Sequence, residues 1–316
     1  MKVVAYEESM ASMWDGFCRD ALSSTFLHTR NFLAYHGDRF KDQSVLMFNE
    51  KEELVGLLPA AEDPSNSSSL VSHPGSTFGG LIHQGGLKGG KMIDALKAAS
   101  NHYAELGYQA LTVKVVPHIY HVVPSQDEVY ALTQLGAARV RCDLTSTIDL
   151  SVPREISQRR KRSLKKAQKF DLQVSQDKLR VGELWDLIKE NLKKHAAEPT
   201  HSKDELEALV RRCADDISIL VAIQEDVAIA GLVLFSSENV VHAQYIDSSP
   251  TGNDLCALDL LLDHAIENAK ISGARFFDFG ISTERGGTYL NDSLYTFKSE
   301  FGGGGVVHEF YRLDVK

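Results

Sequence analysis

The last forty residues constrain the fold of this chain more than any other stretch. Residues 276–280 (Phe-Phe-Asp-Phe-Gly) form an apolar run with one acidic side chain that ends at a glycine, which is typical of a buried strand. Helical spacing before a glycine stop follows, at Leu290, Leu294, Phe297 and Phe301. A further apolar run extends from Val306 to Leu313. The segment therefore predicts a strand, a loop, a helix and a last strand.

This arrangement resembles the C-terminal half of the GNAT acyltransferase fold. The resemblance is to the Fem-like branch, typified by bacterial peptidoglycan-bridge peptidyltransferases and by GNAT proteins of surface-polysaccharide gene clusters. It is carried by residues 276–303 and, upstream, by Lys161 to Lys169 (KRSLKKAQK) and His195 to Leu209 (HAAEPTHSKDELEAL). Residues 26–83, with the motifs at 26–30 and 72–80, resemble the N-terminal half of the same proteins.

The resemblance implies an α/β fold with mixed sheets, built from two tandem GNAT-like domains. Alternating apolar and polar side chains over residues 139–150 predict a strand, with Val140 and Leu144 on the apolar face and Asp143 on the polar one. Ser151-Val152-Pro153 then interrupts the pattern, so we place the domain boundary near residue 150. We expect a degenerate, acceptor-side domain over 1–150 and a donor-side acyltransferase domain over 151–316.

Other elements follow from periodicity. Strands near Ser44 to Asn49 and Leu54 to Ala60 precede a Ser/Gly-rich loop, and a helix is predicted from Lys91 to Leu106. In the second half, one helix is predicted from Asp254 to Ile271, with Asn253 or Asp254 as its cap.

Composition excludes several classes of protein. The 316 residues carry a net charge of −9, which argues against bulk attraction to nucleic acid or to an anionic membrane. The four cysteines are far apart, so neither a disulfide framework nor a metal site is predicted. No basic start with an apolar stretch behind it and no run of roughly 18 apolar residues is present. We therefore expect a cytoplasmic protein without a membrane span.

One segment departs from the acidic balance. Residues 154–169 carry eight positive charges and the single acid Glu155; the cations are Arg154, Arg159, Arg160, Lys161, Arg162, Lys165, Lys166 and Lys169. A charge run of this kind is either a solvated helix face or a surface for an anionic ligand. We include Arg159, Arg160, Lys165 and Lys166 as candidate substrate-binding residues, together with Ser72, His73 and Glu284.

The resemblance also implies where an acyl donor would bind. In GNAT proteins two parallel strands splay apart and the donor pyrophosphate lies at the N-terminus of the next helix, where free N–H groups and the helix dipole favour an anion. The corresponding strands are 240–247 and 275–279. The loop between the first strand and its helix supplies the donor-binding candidates Ser249, Thr251, Gly252, Asn253 and Asp254. It lacks the spaced glycines of most GNAT proteins.

Three residues are candidate catalytic groups. Lys298 lies near the position where many GNAT proteins carry a tyrosine acid, and there an ammonium can protonate a leaving thiolate or neutralise donor charge. Its neighbours Phe297 and Phe301 predict partial burial. Tyr245 and Asp278 are preferred as site lining, and strict alternation predicts that His242 and Tyr245 point to opposite faces.

The leading functional hypothesis is an N-acyltransferase that uses acetyl-CoA or another acyl-CoA to modify an amine of a sugar or cell-envelope precursor. An aminoacyl-tRNA donor and a peptidoglycan-precursor acceptor, with the basic helix on tRNA phosphates, form the first alternative. The second is a binding module that keeps the fold without catalysis.

Overall fold

The computed structural model of the protein describes residues 1–194 and 201–315. Residues 195–200, which belong to the stretch His195 to Leu209 that carries part of the resemblance, lie outside the described residues. Among the described residues, none of the helices combines the length and the apolar composition that a bilayer span requires.

The chain divides into two compact units. Unit 1 comprises residues 1–143, 285–289 and the chain from Val307 onward, and unit 2 comprises residues 144–284 and 290–306. This division differs from the predicted boundary near residue 150, because it falls inside a strand and because two late segments belong to unit 1. A buried strand can leave one unit and enter the next without any Pro or Gly signal, so the sequence does not mark the point.

Unit 1 contains both strands and helices, with four consecutive strands between its second and third α-helices. Its strands are β1 (Lys2–Ala5), β2 (Val45–Phe48), β3 (Leu54–Leu58), β4 (Ala61–Asp63), β5 (Asn66–Val71), β6 (Ala110–Lys114) and the start of β7 (Ala138–Asp149). Its helices are α1 (Ala11–Arg19), α2 (Arg30–Leu33), α3 (Gly90–Glu105) and α4 (Asp127–Gln134). Short 3₁₀ turns lie at Glu8–Met10, Phe26–His28, Ala34–Arg39 and His118–Tyr120.

Unit 2 begins in the second half of β7 and contains most of the later elements. These are α5 (Gln158–Ala167), β8 (Gln173–Ser175), α6 (Val181–Lys194), α7 (Lys203–Arg212), β9 (Ile217–Gln224), β10 (Val227–Ser236), β11 (Val240–Ser248), α8 (Pro250–Leu255), α9 (Ala257–Ile271), β12 (Phe276–Ile281), β13 (Thr283–Glu284), the end of β14 (Tyr289–Leu290), α10 (Asp292–Ser299) and the start of β15 (Gly304–Asp314). A 3₁₀ turn, Lys178–Arg180, precedes α6.

Each unit is built on a mixed sheet with one parallel pair of strands. In unit 1, β5 and β6 run parallel and are joined through α3, with β4 and the end of β15 antiparallel at either side. In unit 2, β11 and β12 run parallel and are joined through α8 and α9, in the strand order β7, β12, β11, β10, β9, β8. The predicted α/β fold with a mixed sheet in each half is confirmed.

Apolar side chains fill one core in each unit. Residues of α3 such as Leu96 and Tyr103 pack on Leu111 and Val113 of β6 in unit 1. In unit 2, α9 supplies Leu261, Leu262, Ala265 and Ile266, which pack against Phe277 and Phe279 of β12. The apolar face of α9 therefore packs this helix against the sheet that contains the parallel strands β11 and β12.

The strand β5 was not predicted, because its three serines favoured a loop. It pairs with β6 from Ser69 to Val71, and Ser69 is buried with its hydroxyl accepting a hydrogen bond from Asn66 Nδ2 at 3.0 Å. Local hydrogen bonds of this kind satisfy the serine hydroxyls, so the segment can take a sheet position in spite of its composition.

The predicted helix from Asp254 to Ile271 is also corrected. The structure has two helices, α8 and α9, separated by Cys256 in the left-handed conformation with a φ of 57°. Cysteine rarely adopts this conformation, so no sequence pattern marks the break.

In β7 the predicted faces hold only in part. Val140 is 53% exposed, whereas Asp143, Thr145 and Thr147 of the predicted polar face are buried. Over residues 145–148 both faces of the strand are buried. Polar side chains there form hydrogen bonds, such as the one that Thr147 donates to Asp278.

Candidate active site

The parallel strands β11 and β12 separate halfway along their length. They pair only at three positions, Val240 with Phe276, Val241 with Phe277 and His242 with Asp278, although β11 continues to Ser248 and β12 to Ile281. The pairing of β12 with β7 is also irregular beyond Asp278, where Gly280 has a φ of 73°. A splay is therefore present in unit 2 between the strands where the sequence predicted one, and it starts at His242 and Asp278.

Asp278 lies at the base of the splay and is fully buried. Its Oδ1 accepts a hydrogen bond from the Thr147 hydroxyl at 2.7 Å. Its Oδ2 lies 2.6 Å from Nδ1 of His242 and accepts the Gly280 N–H at 3.2 Å. The carboxylate is therefore enclosed by the Thr147 hydroxyl, the Gly280 N–H and the His242 ring.

His242 points to the same side of the sheet as Tyr245, and the prediction that they oppose each other is wrong. A bulge in β11 leaves Tyr245 opposite Val233 and Ala243 opposite Leu234, so Gln244 is the additional residue. As a result Ala243 and Ile246 pack on the same core, and the alternation shifts by one residue. Nothing in the local sequence signals this bulge, which is why His242 was set aside.

Tyr245 is engaged with another side chain. Its hydroxyl lies 2.7 Å from Nδ1 of His201, and the His201 carbonyl accepts the Trp185 indole N–H at 3.2 Å. Tyr245 therefore connects β11 to the entry of α7. This contact with a buried histidine was not visible in the sequence.

Lys298 of α10 lies at the far end of the splayed strand. Its Nζ donates to the carbonyl oxygens of Gly280 at 3.0 Å and Ile281 at 2.6 Å, and the residue is only 6% exposed. Burial lowers the pKa of Lys298 to about 8, while the nearby charge of Asp278 acts in the opposite direction. Partial burial was predicted for this lysine; the structure confirms that it is buried, and more completely than predicted.

The candidate donor loop uses its amide groups internally. Ser249, and not Asn253 or Asp254, caps α8: its hydroxyl accepts the Gly252 N–H at 3.0 Å and its carbonyl accepts the Asn253 N–H at 2.9 Å. Gly252 is closely packed, since a Cβ there would lie 2.2 Å from the Ile229 carbonyl oxygen. Thr251, Asn253 and Asp254 are exposed. Two amides that a donor phosphate would need are thus already occupied.

The cations of the basic helix α5 are of two kinds, one buried and ion-paired and the others exposed. Arg160 is 3% exposed and bonds Asp259 at 2.7 Å and Glu300 at 3.0 Å, so we remove it from the substrate-binding candidates and assign it a structural role. Arg159 is exposed and lies 3.7 Å from Glu300. Lys165 and Lys166 are exposed, on the side of the helix away from Arg160 and the buried Ala167.

The remaining candidates are dispersed. Ser72 and His73 are buried in unit 1 at the end of β5, where the Ser72 hydroxyl accepts the Lys114 N–H at 2.8 Å. Burial and the neighbouring His36 and Lys114 lower the pKa of His73 to about 2. Glu284 of unit 2 is exposed and accepts the Asn291 side-chain N–H at 2.8 Å.

Comparison with known proteins agrees with this geometry. Residues 153–290 match the acetyltransferase (GNAT) domain family. FemX has a TM-score of 0.71 at 11% identity, over 99% of this chain and 97% of its own. L-PGS from Bacillus licheniformis has a TM-score of 0.62 at 12% identity, over 96% and 91%. A tandem GNAT protein from the clavulanic acid biosynthesis pathway has a TM-score of 0.54 at 10% identity, over 100% and 98%.

No curated protein matches the chain significantly by sequence. At these identities the solved structures show the fold alone, and the family match covers the segment that contains the start of the splay. Residues 153–290 therefore match the GNAT acetyltransferase domain family, and the chain has the fold seen in FemX and in the tandem GNAT protein.

Proposed function

We propose that this protein transfers an acyl group from acetyl-CoA or another acyl-CoA to an amine of a sugar or cell-envelope precursor. The observation that carries the proposal is the buried ammonium of Lys298 at the end of the splayed strand β12. A buried cation at this point can stabilise the negative charge that develops on the leaving group of the donor. Because water is largely excluded, this electrostatic interaction is screened little.

The hydrogen bonds of Lys298 leave it able to act. An ammonium has three N–H groups, and two of them donate to the carbonyl oxygens of Gly280 and Ile281. The third has no acceptor among the residues that the structure describes. With its pKa lowered to about 8, this group is protonated at neutral pH and gives up a proton far more readily than an exposed lysine. These properties favour proton donation to a leaving thiolate over a purely electrostatic role.

An aminoacyl-tRNA donor is the alternative within the same reaction class. The exposed cations of α5 support it, because they could bind tRNA phosphates. The Ser249 loop also supports it: an aminoacyl-tRNA has no pyrophosphate, so this donor does not need the loop amides that are already hydrogen-bonded. A peptidoglycan precursor would then be the acceptor. Since both donor classes are made in the cytoplasm, we propose that location for the protein.

A donor screen tests the proposal and separates these alternatives. Thermal unfolding is measured with acetyl-CoA, CoA, nucleotide sugars, aminoacyl-tRNA and uncharged tRNA, because a ligand that binds only the folded state raises the unfolding temperature. Stabilisation by acetyl-CoA or CoA, followed by acetyl transfer to a panel of amino sugars, is the expected result. Stabilisation by tRNA alone would favour the alternative donor. Binding without transfer to any amine would leave a non-catalytic binding module.

A further inference from the structure

We propose that His242 is the base that takes the proton from the acceptor amine, held in position by Asp278 and Thr147. This inference rests on the proposed acyl transfer and assigns the deprotonation step to a residue that sequence alternation had excluded. Asp278, one of the three catalytic candidates from the sequence, becomes a positioning residue.

The evidence begins with a chain of hydrogen bonds across three strands. The Thr147 hydroxyl of β7 donates to Asp278 Oδ1 at 2.7 Å, and Asp278 Oδ2 lies 2.6 Å from Nδ1 of His242 on β11. The Gly280 N–H donates to the same Oδ2 at 3.2 Å. An ionised carboxylate only accepts hydrogen bonds, so Nδ1 of His242 must carry the proton. In the neutral ring Nε2 is then the unprotonated nitrogen and has the lone pair that a base needs.

The second observation is the position of His242. It belongs to the last pair in the parallel ladder, and beyond it β11 and β12 diverge. Among the described residues no group makes a hydrogen bond with its Nε2. His242 also keeps 8% of its surface accessible, whereas Asp278 keeps none. Of the two residues at the start of the splay, His242 is therefore the accessible one.

The third observation is that the other candidate base is occupied. The hydroxyl of Tyr245 already bonds His201, at 2.7 Å. Asp278, by contrast, interacts electrostatically with both Lys298 and His242, which places the proposed acid and base around one carboxylate. A single buried anion can thus orient the base while keeping Lys298 protonated at neutral pH.

The proposed step is balanced in atoms and charge. The acceptor nitrogen attacks the carbonyl carbon of the donor, a C–N bond forms, and the proton lost from nitrogen moves to Nε2 of His242. The bond from carbon to sulfur, or to oxygen in an ester donor, breaks with its electron pair, and the leaving atom takes a proton from Nζ of Lys298. Proton exchange with solvent then returns both side chains to their starting states.

A first test needs no substrate. Nitrogen-15 NMR of histidine-labelled protein reports which ring nitrogen of His242 is protonated, and His242→Gln assigns its signals. The expected result is a proton on Nδ1 in the wild type and its loss or redistribution in Asp278→Asn. A smaller change is expected in Thr147→Val, which is a gentler variant should Asp278→Asn fail to fold. A wild-type ring that is protonated at Nε2 and neutral would overturn the proposal.

The second test uses acetyl-CoA and the amino sugar that is acetylated fastest. His242→Gln should lower kcat by about 10² to 10⁴-fold, the usual contribution of a general base, while the acetyl-CoA thermal shift is retained. His264→Gln on α9, whose ring contacts Asn268, is the matched control and should keep full activity. Imidazoles of increasing basicity should restore the rate of His242→Ala in proportion to their pKa.

The outcomes separate the two proposals. Unchanged kcat in a folded His242→Gln enzyme that still transfers acetyl groups overturns the role of His242 and leaves the proposed function intact. Absence of transfer from every donor overturns both. Rescue that depends on the size of the added imidazole but not on its basicity would show that His242 only fills space.

Discussion

Arg160 and Asp259 form a buried ion pair, with Nη1 of the guanidinium 2.7 Å from Oδ1 of the carboxylate. Their side chains are 4% and 9% exposed, and Glu300 lies 3.0 Å from the Nε of the same arginine. Burial raises the pKa of Asp259 while the Arg160 charge lowers it, so the carboxylate depends on its partner to stay ionised. This pair attaches α5 to α9 and shows that part of the basic segment is structural.

Removal of that arginine should destabilise unit 2. Arg160→Ala leaves a buried carboxylate without its main partner, and we expect a loss of about 3 to 5 kcal/mol in the free energy of unfolding. Lys166→Ala, an exposed position on the same helix, should change it by less than about 0.5 kcal/mol. Urea unfolding followed by circular dichroism measures both. Equal stabilities for the two variants would show that the ion pair contributes little.

The exposed part of α5 should contribute to binding rather than to stability. If the donor or acceptor is a polyanion, Lys165→Ala combined with Lys166→Ala should weaken its binding and flatten the salt dependence of the affinity. Lys51→Ala combined with Lys91→Ala removes the same charge from exposed positions of unit 1 and serves as the control. Identical salt slopes for both double variants would reduce α5 to a solvated helix face.

The role of Lys298 can be separated from its packing. Lys298→Ala and the closer match Lys298→Met should each lower turnover by about 10²-fold or more, the scale of losing one electrostatic stabiliser. In the wild type, turnover should fall as the pH rises above about 8, because the protonated ammonium is lost there. Lys298→Arg should recover part of the activity if charge is enough, but not if a proton must be given up. Near wild-type turnover in Lys298→Met would remove the residue from the mechanism.

The sequence predicted much of the fold because periodicity and caps are local properties. The strands predicted at 240–247 and 275–279 correspond to β11 and β12, and Lys298 follows from its place before a glycine stop. The break at Cys256 and the bulge in β11 could not be predicted, since both are backbone conformations set by packing between elements.

The sequence located a candidate residue correctly in the fold only where that residue stands out by type and position, as Lys298 does. The pairing of His242 with Asp278 joins two residues 36 positions apart and depends on the register of their strands. The alternation rule placed Tyr245 on the face opposite His242 because it could not foresee the residue inserted between Ala243 and Tyr245. Arg160 was grouped with its neighbours because charge density does not distinguish a buried arginine from an exposed one. Contacts between distant elements, and not composition, assign these roles.

Unit 1 offers a test of burial that is independent of any substrate. Glu128 of α4 is buried, accepts the Leu81 N–H at 2.6 Å, and has a pKa raised by burial to about 8. The unfolded chain loses this proton near pH 4.5 and the folded chain near 8, so the folded state binds more protons in between. Stability should therefore fall as the pH rises through this window.

Glu128→Gln should remove this pH dependence. The amide oxygen of glutamine can still accept the Leu81 N–H, and no charge has to be buried. At pH 5 the variant and the wild type should unfold at nearly the same temperature, and at pH 8 the variant should be more stable by about 1 kcal/mol or more, as a raised carboxyl pKa requires. Thermal unfolding at intervals of pH from 5 to 9 measures the difference, with the exposed Glu105→Gln as control. A constant offset across the range would mean that Glu128 is ionised in the folded protein throughout.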